Sequence, residues 1–313
     1  MKNRARHAID KTITLNINGS RQRIRLSAAR PGLPPLLVVQ GGPALPLLHE
    51  VAKFQRLLDL EHNFLVGYWE QRGCGDAPAH DARRVSLAQQ VDDLRSVLRW
   101  LHGETGQPAL ILGISIGGTI TLQAVEHEPD HVRAVIAVSP DAQTTVSDAA
   151  AHAFLQEQAR GPDRHRIRRS VMALGHPPFV DPAPFQRRTR LLADLGTIEH
   201  GKTFGALARE AFFALIRTYG AVGGVRALRN VNIIQRRLLP EISSLDLFSR
   251  PPRVTVPVHY VFGEQDVLTP ASVVKDLPAA IAAPGTTVVR LPDAGHMAHF
   301  DQPRIVRSIL EAA

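Results

Sequence analysis

Ala109-Leu110-Ile111-Leu112 runs straight into Gly113-Ile114-Ser115-Ile116-Gly117-Gly118. Four consecutive apolar residues read as a buried strand, and the periodic residues that follow read as a helix through Glu126. Between them lies Gly-x-Ser-x-Gly. A sharp strand-to-helix turn needs small residues two before and two after its centre, so that strand and helix can approach. Such a turn holds the Ser115 side chain out at the carboxyl edge of the sheet.

The same rhythm extends on both sides. Leu36 to Val39 and Phe64 to Trp69 are further apolar runs, Arg133 to Val138 reads as one more strand, and helical spacing appears over Leu47 to Leu60 and Leu87 to Leu101. Continuous apolar strands alternating with amphipathic helices predict a mostly parallel sheet flanked by helices, an α/β fold. In such sheets ligands sit beyond the carboxyl ends of the strands, so the loops after Val39, Trp69, Leu112 and Val138 should face one cleft. Before them, Thr12 to Ile17 and Arg21 to Leu26 alternate around Asn18-Gly19, predicting an edge hairpin. From Asp141 to Arg253 no buried strand is evident. Helical patterns at Phe154-Leu155, Leu191-Leu192 and Phe204 to Tyr219 predict a helical insertion. Strands then resume at Val256 to Phe262 and Thr286 to Leu291, with a helix near Ala271 to Ala283 between them and a last helix from Pro303. The expected division is residues 1–140 and 254–313 for the core and 141–253 for a helical cap.

A nucleophilic serine needs a base, and the base needs an orienting acid. Gly263-Glu264-Gln265-Asp266 follows one late strand and Ala294-Gly295-His296 the next. Both therefore fall at the strand edge where Ser115 sits, in the order Ser115, Asp266, His296. Two alternatives stand beside these: His299 as the base and Asp141, after the strand ending at Val138, as the acid. Asp293 reads as a turn residue.

With these residues in place, the chain resembles the α/β-hydrolase superfamily, and within it the proline iminopeptidase-like serine hydrolases. That branch carries a His-Gly-Gly-Pro-Gly motif after an early strand and an Asp-Gln-Arg-Gly-Cys-Gly-like segment after the next. Here they stand as Gln40-Gly41-Gly42-Pro43-Ala44 and Glu70-Gln71-Arg72-Gly73-Cys74-Gly75. The resemblance implies Ser115 as nucleophile, His296 as general base and then acid, Asp266 as its orienter, and the backbone N–H groups of Gly42 and Ile116 as an oxyanion hole. It implies no cofactor. Relatives of this branch also use cap carboxylates to bind a free amino group. Their usual signature is missing here, and Glu199, Glu210 and Glu241 are the acids available to substitute. The implied function is hydrolysis of a carboxylic ester, thioester or amide of a small molecule through an acyl-enzyme. An iminopeptidase-like aminopeptidase, acyl transfer or cyclising release in biosynthesis, and a non-catalytic binding protein are the other readings.

Composition narrows the partners. Of 313 residues, 44% are hydrophobic, and the formal charge is +8. One cysteine, Cys74, excludes an internal disulfide and any multi-cysteine metal site, and it reads as a packed side chain. Arg72 reads as a loop-holding residue. His49-Glu50 and His127-Glu128 lack a second histidine at ligand spacing, so no metal is expected. Gly220-Ala221-Val222-Gly223-Gly224 follows no strand and is not a dinucleotide fingerprint. No apolar run is long enough to span a membrane, and the basic segment Met1 to His7 leads into no apolar stretch, so a cytoplasmic protein without membrane association is expected. Residues 141–253 hold 17 Lys+Arg against 10 Asp+Glu, while the rest of the chain is nearly neutral. Arg164-His165-Arg166-Ile167-Arg168-Arg169 lacks aromatic interleaving and reads as a solvated helix face, so nucleic acid is not expected. Arginines facing the cleft would favour an anionic or carrier-linked acyl substrate.

Overall fold

The computed structural model describes residues 8–161 and 164–313. The basic segment Met1 to His7 lies outside the described residues. Eight strands form one sheet: β1 Ile9–Ile17, β2 Ser20–Ala28, β3 Pro35–Val39, β4 Leu65–Glu70, β5 Ala109–Ile114, β6 Val132–Val138, β7 Val258–Gly263 and β8 Thr287–Leu291. Their spatial order is β1-β2-β4-β3-β5-β6-β7-β8. The hairpin β1–β2 is antiparallel and joins β4 antiparallel; every other pairing is parallel.

The chain leaves β3 for β4 on one side, then crosses back to place β5 on the other. Loops leaving β3 and β5 therefore diverge, and a crevice opens above their carboxyl ends. Gly42 and Ser115 stand on its two lips.

Twelve α-helices and two single-turn 3₁₀ helices, Leu60–His62 and Pro129–His131, complete the described fold. In the first part of the core the α-helices are α1 Val51–Leu57, α2 Ala79–Ala82, α3 Leu87–Thr105 and α4 Ile116–Val125. Between β6 and β7 come α5 Thr144–Gln158, α6 His165–Met172, α7 Pro182–Asp194 and α8 Phe204–Ser243, and the last four are α9 Ala271–Val274, α10 Leu277–Ile281, α11 Ala298–Asp301 and α12 Pro303–Ala312. Alternate residues of the strands feed two separate cores. Leu37, Val39, Ile111 and Val135 pack toward Leu94, Leu98 and Ile120 of α3 and α4. Leu36, Val38, Leu110 and Ile136 pack toward Val51 and Phe54 of α1 and Val306 and Leu310 of α12. Both faces being covered explains why these strands read as continuous apolar runs. A third cluster, with Leu155, Val171, Phe179 and Leu192, holds α5 to α7 together and reaches Val267 and Leu268 beside the end of β7.

Several boundaries differ from the sequence reading. The helix expected over Leu47 to Leu60 is confined to α1, with Asp59 in the left-handed region at φ 51° ending it. The helix expected near Ala271 to Ala283 is two short pieces, α9 and α10. The pattern over Phe204 to Tyr219 continues to Ser243, interrupted at Gly220, whose φ of 70° no helix residue adopts. None of the helices in the described residues is long and apolar enough to cross a membrane.

Candidate active site

Ser115 sits between β5 and α4 with φ 53° and ψ −130°. For a residue with a Cβ this conformation costs about 1–3 kcal/mol, so the surroundings must enforce it. They do so through close packing at glycines. A Cβ on Gly113 would lie 2.8 Å from the Gly118 Cα, and one on Gly117 would run into the carbonyl oxygens of Val39 and Gln40. The Ser115 N–H donates to the Val138 carbonyl at 2.8 Å, tying the turn to β6.

The structure brings Asp266 and His296 to this serine. The Ser115 hydroxyl lies 2.9 Å from His296 Nε2, and His296 Nδ1 lies 2.9 Å from Asp266 Oδ2. All three are buried. Asp266 Oδ1 accepts the N–H groups of Leu268 at 2.8 Å and Thr269 at 3.0 Å, and Oδ2 accepts the Thr269 hydroxyl at 2.6 Å. Burial alone would raise the Asp266 carboxyl, but His296 and the Thr269 bonds outweigh it and hold it below the usual carboxylate value. Burial likewise works against the His296 imidazolium, yet the Asp266 charge prevails and holds His296 above the ordinary histidine value. A hydrogen-bonded Ser-His-Asp chain of this kind can move the serine proton to the imidazole while the carboxylate stabilises the resulting cation.

Thr269 was not picked out from the sequence. An Asp followed three residues later by a threonine at a strand end is a local turn signal, and it carried the contact. The loop bearing His296 has supports that sequence reading also missed. The His296 N–H donates to the Thr197 carbonyl at 2.9 Å and the Met297 N–H to the Ile198 carbonyl at 2.8 Å. Asp301 accepts the Gly295 N–H at 2.8 Å and the His200 N–H at 3.0 Å.

The alternatives separate cleanly. His299 is fully buried between Phe54 and Phe300, both its ring nitrogens lack partners, and burial drives it well below the ordinary histidine value. It is packing, not a base. Asp141 does not reach His296 Nδ1. Its Oδ2 lies 3.3 Å from the Ser115 hydroxyl instead, and burial pushes its carboxyl up to about 6. Asp293 is an exposed turn residue at φ 54°. Cys74 is buried, and burial raises its thiol far above the usual range. Arg72 pairs with Asp93 through two 2.8 Å bonds and also donates to the carbonyls of Ile17 and Asn18, holding the loop as expected.

Above Ser115 lies a cavity of about 590 Å³, walled by the core and by helices α5, α7 and α8. Gly42 and Ile116 line it beside Ser115. Phe179, Phe185, Leu239 and Met297 make much of its wall apolar. Glu199, Glu210 and Glu241 do not line it. Glu199 is buried in ion pairs with Lys53 and Lys202, Glu210 is an exposed partner of Lys202, and Glu241 accepts the Leu87 N–H. Each is held by a lysine or by the start of a helix, away from the cavity lining. The acids that do face the cavity are Asp141 and Asp148. The exposed run from Arg164 to Arg169 does not line it, whereas Arg187, Arg188 and Arg190 do. Arg188 is buried, paired with Asp148, and its Nε has no partner.

Residues 34–303 match the family model described as alpha/beta hydrolase fold. A probable aminopeptidase, YbaC of Bacillus subtilis (strain 168), is 21% identical over 304 residues, covering 95% of this chain and 93% of that protein. Among solved structures, VinJ superposes with a TM-score of 0.70 at 15% identity, covering 98% of this chain and 99% of its own. The proline iminopeptidase of Mycobacterium smegmatis gives 0.66 at 19% identity, covering 96% and 97%. With its elbow serine, its late-strand acid and histidine, and a family match over most of its length, this chain belongs to the alpha/beta hydrolase fold family.

Proposed function

We propose that the protein is a cofactor-independent serine hydrolase that cleaves a carboxylic ester, thioester or amide of a small molecule through an acyl-enzyme on Ser115. The observation that carries this reading is the unbroken hydrogen-bonded chain from Ser115 through His296 to Asp266, buried under the cavity. His296 Nε2 takes the hydroxyl proton as the Ser115 oxygen attacks the substrate carbonyl carbon. The carbonyl π pair moves onto oxygen, and the N–H groups of Gly42 and Ile116 receive that charge; each such donor is worth about 3 kcal/mol. Collapse expels the leaving group, which takes the proton from His296. Water, deprotonated by the same imidazole, then releases the acid.

The second reading, an aminopeptidase, is favoured by the near full-length likeness to a probable aminopeptidase. It uses the same acyl-enzyme and differs in requiring a free amino group on the acyl residue.

A fluorophosphonate probe tests both. The native protein is expected to be labelled at Ser115, and Ser115→Ala to lose labelling together with about 10⁴-fold of its hydrolytic activity while keeping its fold. Wild-type turnover in Ser115→Ala would overturn the mechanism, and a correctly folded native protein that resists the probe and every ester offered would make it a binding protein.

A further inference from the structure

Helix α7 lines the cavity with three arginines, Arg187, Arg188 and Arg190. The acids that share the lining are Asp141, from the loop after β6, and Asp148, from α5. Three guanidinium charges thus meet two carboxylates, and the cavity keeps a positive excess even with both acids ionised. Burial raises Asp141 to about 6, so below that pH the excess grows.

The excess has a definite place. Arg188 is buried and its charge is offset by Asp148. Arg187 and Arg190 are exposed, and among the described residues neither has an acidic partner. They stand one turn apart on α7, a spacing at which like charges repel. Each is nevertheless held. Arg187 donates to the Ala173 carbonyl at the end of α6, and Arg190 lies over the Phe204 ring, 4.5 Å from its centroid. Arg188 lies in the same way over Phe185, at 4.6 Å, and its Nε has no partner. A carbonyl and an aromatic face fix a guanidinium without neutralising it. Much of the side-chain freedom that a bound anion would have to remove is therefore already gone.

The two walls of the cavity differ in sign. On the core side Asp141 Oδ2 lies 3.3 Å from the Ser115 hydroxyl, and when ionised it repels an anion placed next to the reacting carbonyl. The arginines belong to the helical segment, and much of the remaining wall is apolar, with Phe179, Leu239 and Met297. A matching ligand has its carbonyl at Ser115, an apolar stretch, and a negative charge separated from the carbonyl by that stretch.

We propose that Arg187 and Arg190 form an anion subsite, and that the substrate is an ester, thioester or amide bearing a carboxylate joined to its reacting carbonyl through an apolar chain. A carboxylate between the two guanidiniums removes their mutual repulsion, and its two oxygens suit their forked donors. Because the charge is remote from the bond that breaks, its effect falls mainly on KM.

Turnover rests on the serine hydrolase reading, but binding to the subsite does not, so the two are measured apart. In Ser115→Ala, octanedioic acid monoamide and octanamide are titrated by calorimetry at low ionic strength. The carboxylate is expected to tighten binding by about 10-fold or more, and about 0.5 M salt to remove most of that gain. With the native protein, p-nitrophenyl monoesters of six-, eight- and ten-carbon dicarboxylic acids are compared with their methyl-capped diesters and with amine-terminated esters of equal length. Octanoate esters of 4-hydroxyphenylacetate and of its methyl ester place the carboxylate on the leaving group instead. One of the two placements is expected to show a carboxylate preference of about 10-fold or more in kcat/KM, carried mainly by KM. The Arg187→Gln/Arg190→Gln double variant is expected to bring that preference below about 2-fold. No carboxylate preference at any length or in either placement, a preference for the amine, or a folded double variant that keeps the carboxylate preference overturns the proposal. Failure of fluorophosphonate labelling with the binding difference intact removes the serine mechanism and leaves the subsite standing; labelling without a binding difference removes the subsite alone.

Discussion

The backbone N–H of His296 donates to the carbonyl of Thr197 at 2.9 Å, so the loop that carries the imidazole is bonded to the helical segment as well as to the sheet. Asp301 locks this junction by accepting from Gly295 and His200 together. Asp301→Ala leaves two N–H groups without acceptors and frees the histidine loop. Its kcat and its rate of fluorophosphonate labelling are expected to fall in parallel by about 10- to 100-fold, the cost of a misplaced catalytic group. Asp301→Asn, which keeps one acceptor oxygen, should recover most of the loss. Loss of stability with unchanged kcat would assign Asp301 to the fold alone.

Asp266 holds His296 above the ordinary histidine value. Catalysis needs the neutral imidazole, so kcat/KM should fall as pH drops through a midpoint above about 6.5. Asp266→Asn removes the stabilising charge and the acceptor that fixes the tautomer. A pH–rate profile should then show the acid limb displaced downward and a rate about 10⁴-fold lower. An unmoved limb would mean that another carboxylate sets the histidine.

His299 predicts a second loss at acid pH, this one of stability. Its folded-state pKa lies far below that of the unfolded chain, where the imidazole is solvated. Its contribution is therefore present above about pH 6.5 and is lost as pH falls, by up to about 1.4 kcal/mol per pH unit. Urea unfolding at pH 7.5 and 5.5 should show a smaller acid loss in His299→Leu than in the native protein, with hydrolytic activity retained. Equal acid losses would show that His299 is protonated in the folded state.

The Arg72–Asp93 pair is buried, outside the cavity lining, and made by two bonds. Asp93→Asn strands the guanidinium without a counter-charge and should cost about 3–5 kcal/mol in denaturant unfolding. KM at low temperature, where the variant stays folded, should not change; a large KM change would tie the pair to the site.

The parallel sheet was legible because β3, β5 and β6 are covered on both faces and so are apolar but for Arg133, exposed near the start of β6. Ser115 was legible because close strand–helix packing allows only small residues at positions 113 and 117, and Asp266 and His296 because their strands place them at one edge. What sequence could not supply were contacts whose partners share no local pattern. Thr197 and His296 lie on different elements, as do Asp148 and Arg188, and nothing in either stretch announces the other. Counting arginines in residues 141–253 suggested a basic cleft; three of them, Arg187, Arg188 and Arg190, do line the cavity, but Arg188 is paired with Asp148, and pairing is a property of three dimensions. The glutamates failed as amine binders for the same reason, since the lysines occupying Glu199 are Lys53 and Lys202, one of them distant in the chain.

The Thr197-Ile198 carbonyls also set a limit on modular exchange. Helical segments that roof a site invite grafting, with one protein's roof moved onto another's sheet at the obvious joints after β6 and before β7. Here such a graft would cut the bonds to His296 and Met297, leaving the imported roof without grip on the recipient's imidazole. Chimeras that carry residues 197–200 together with their matching 295–301 loop preserve the junction, and the proper unit of exchange in this protein is therefore discontinuous in sequence.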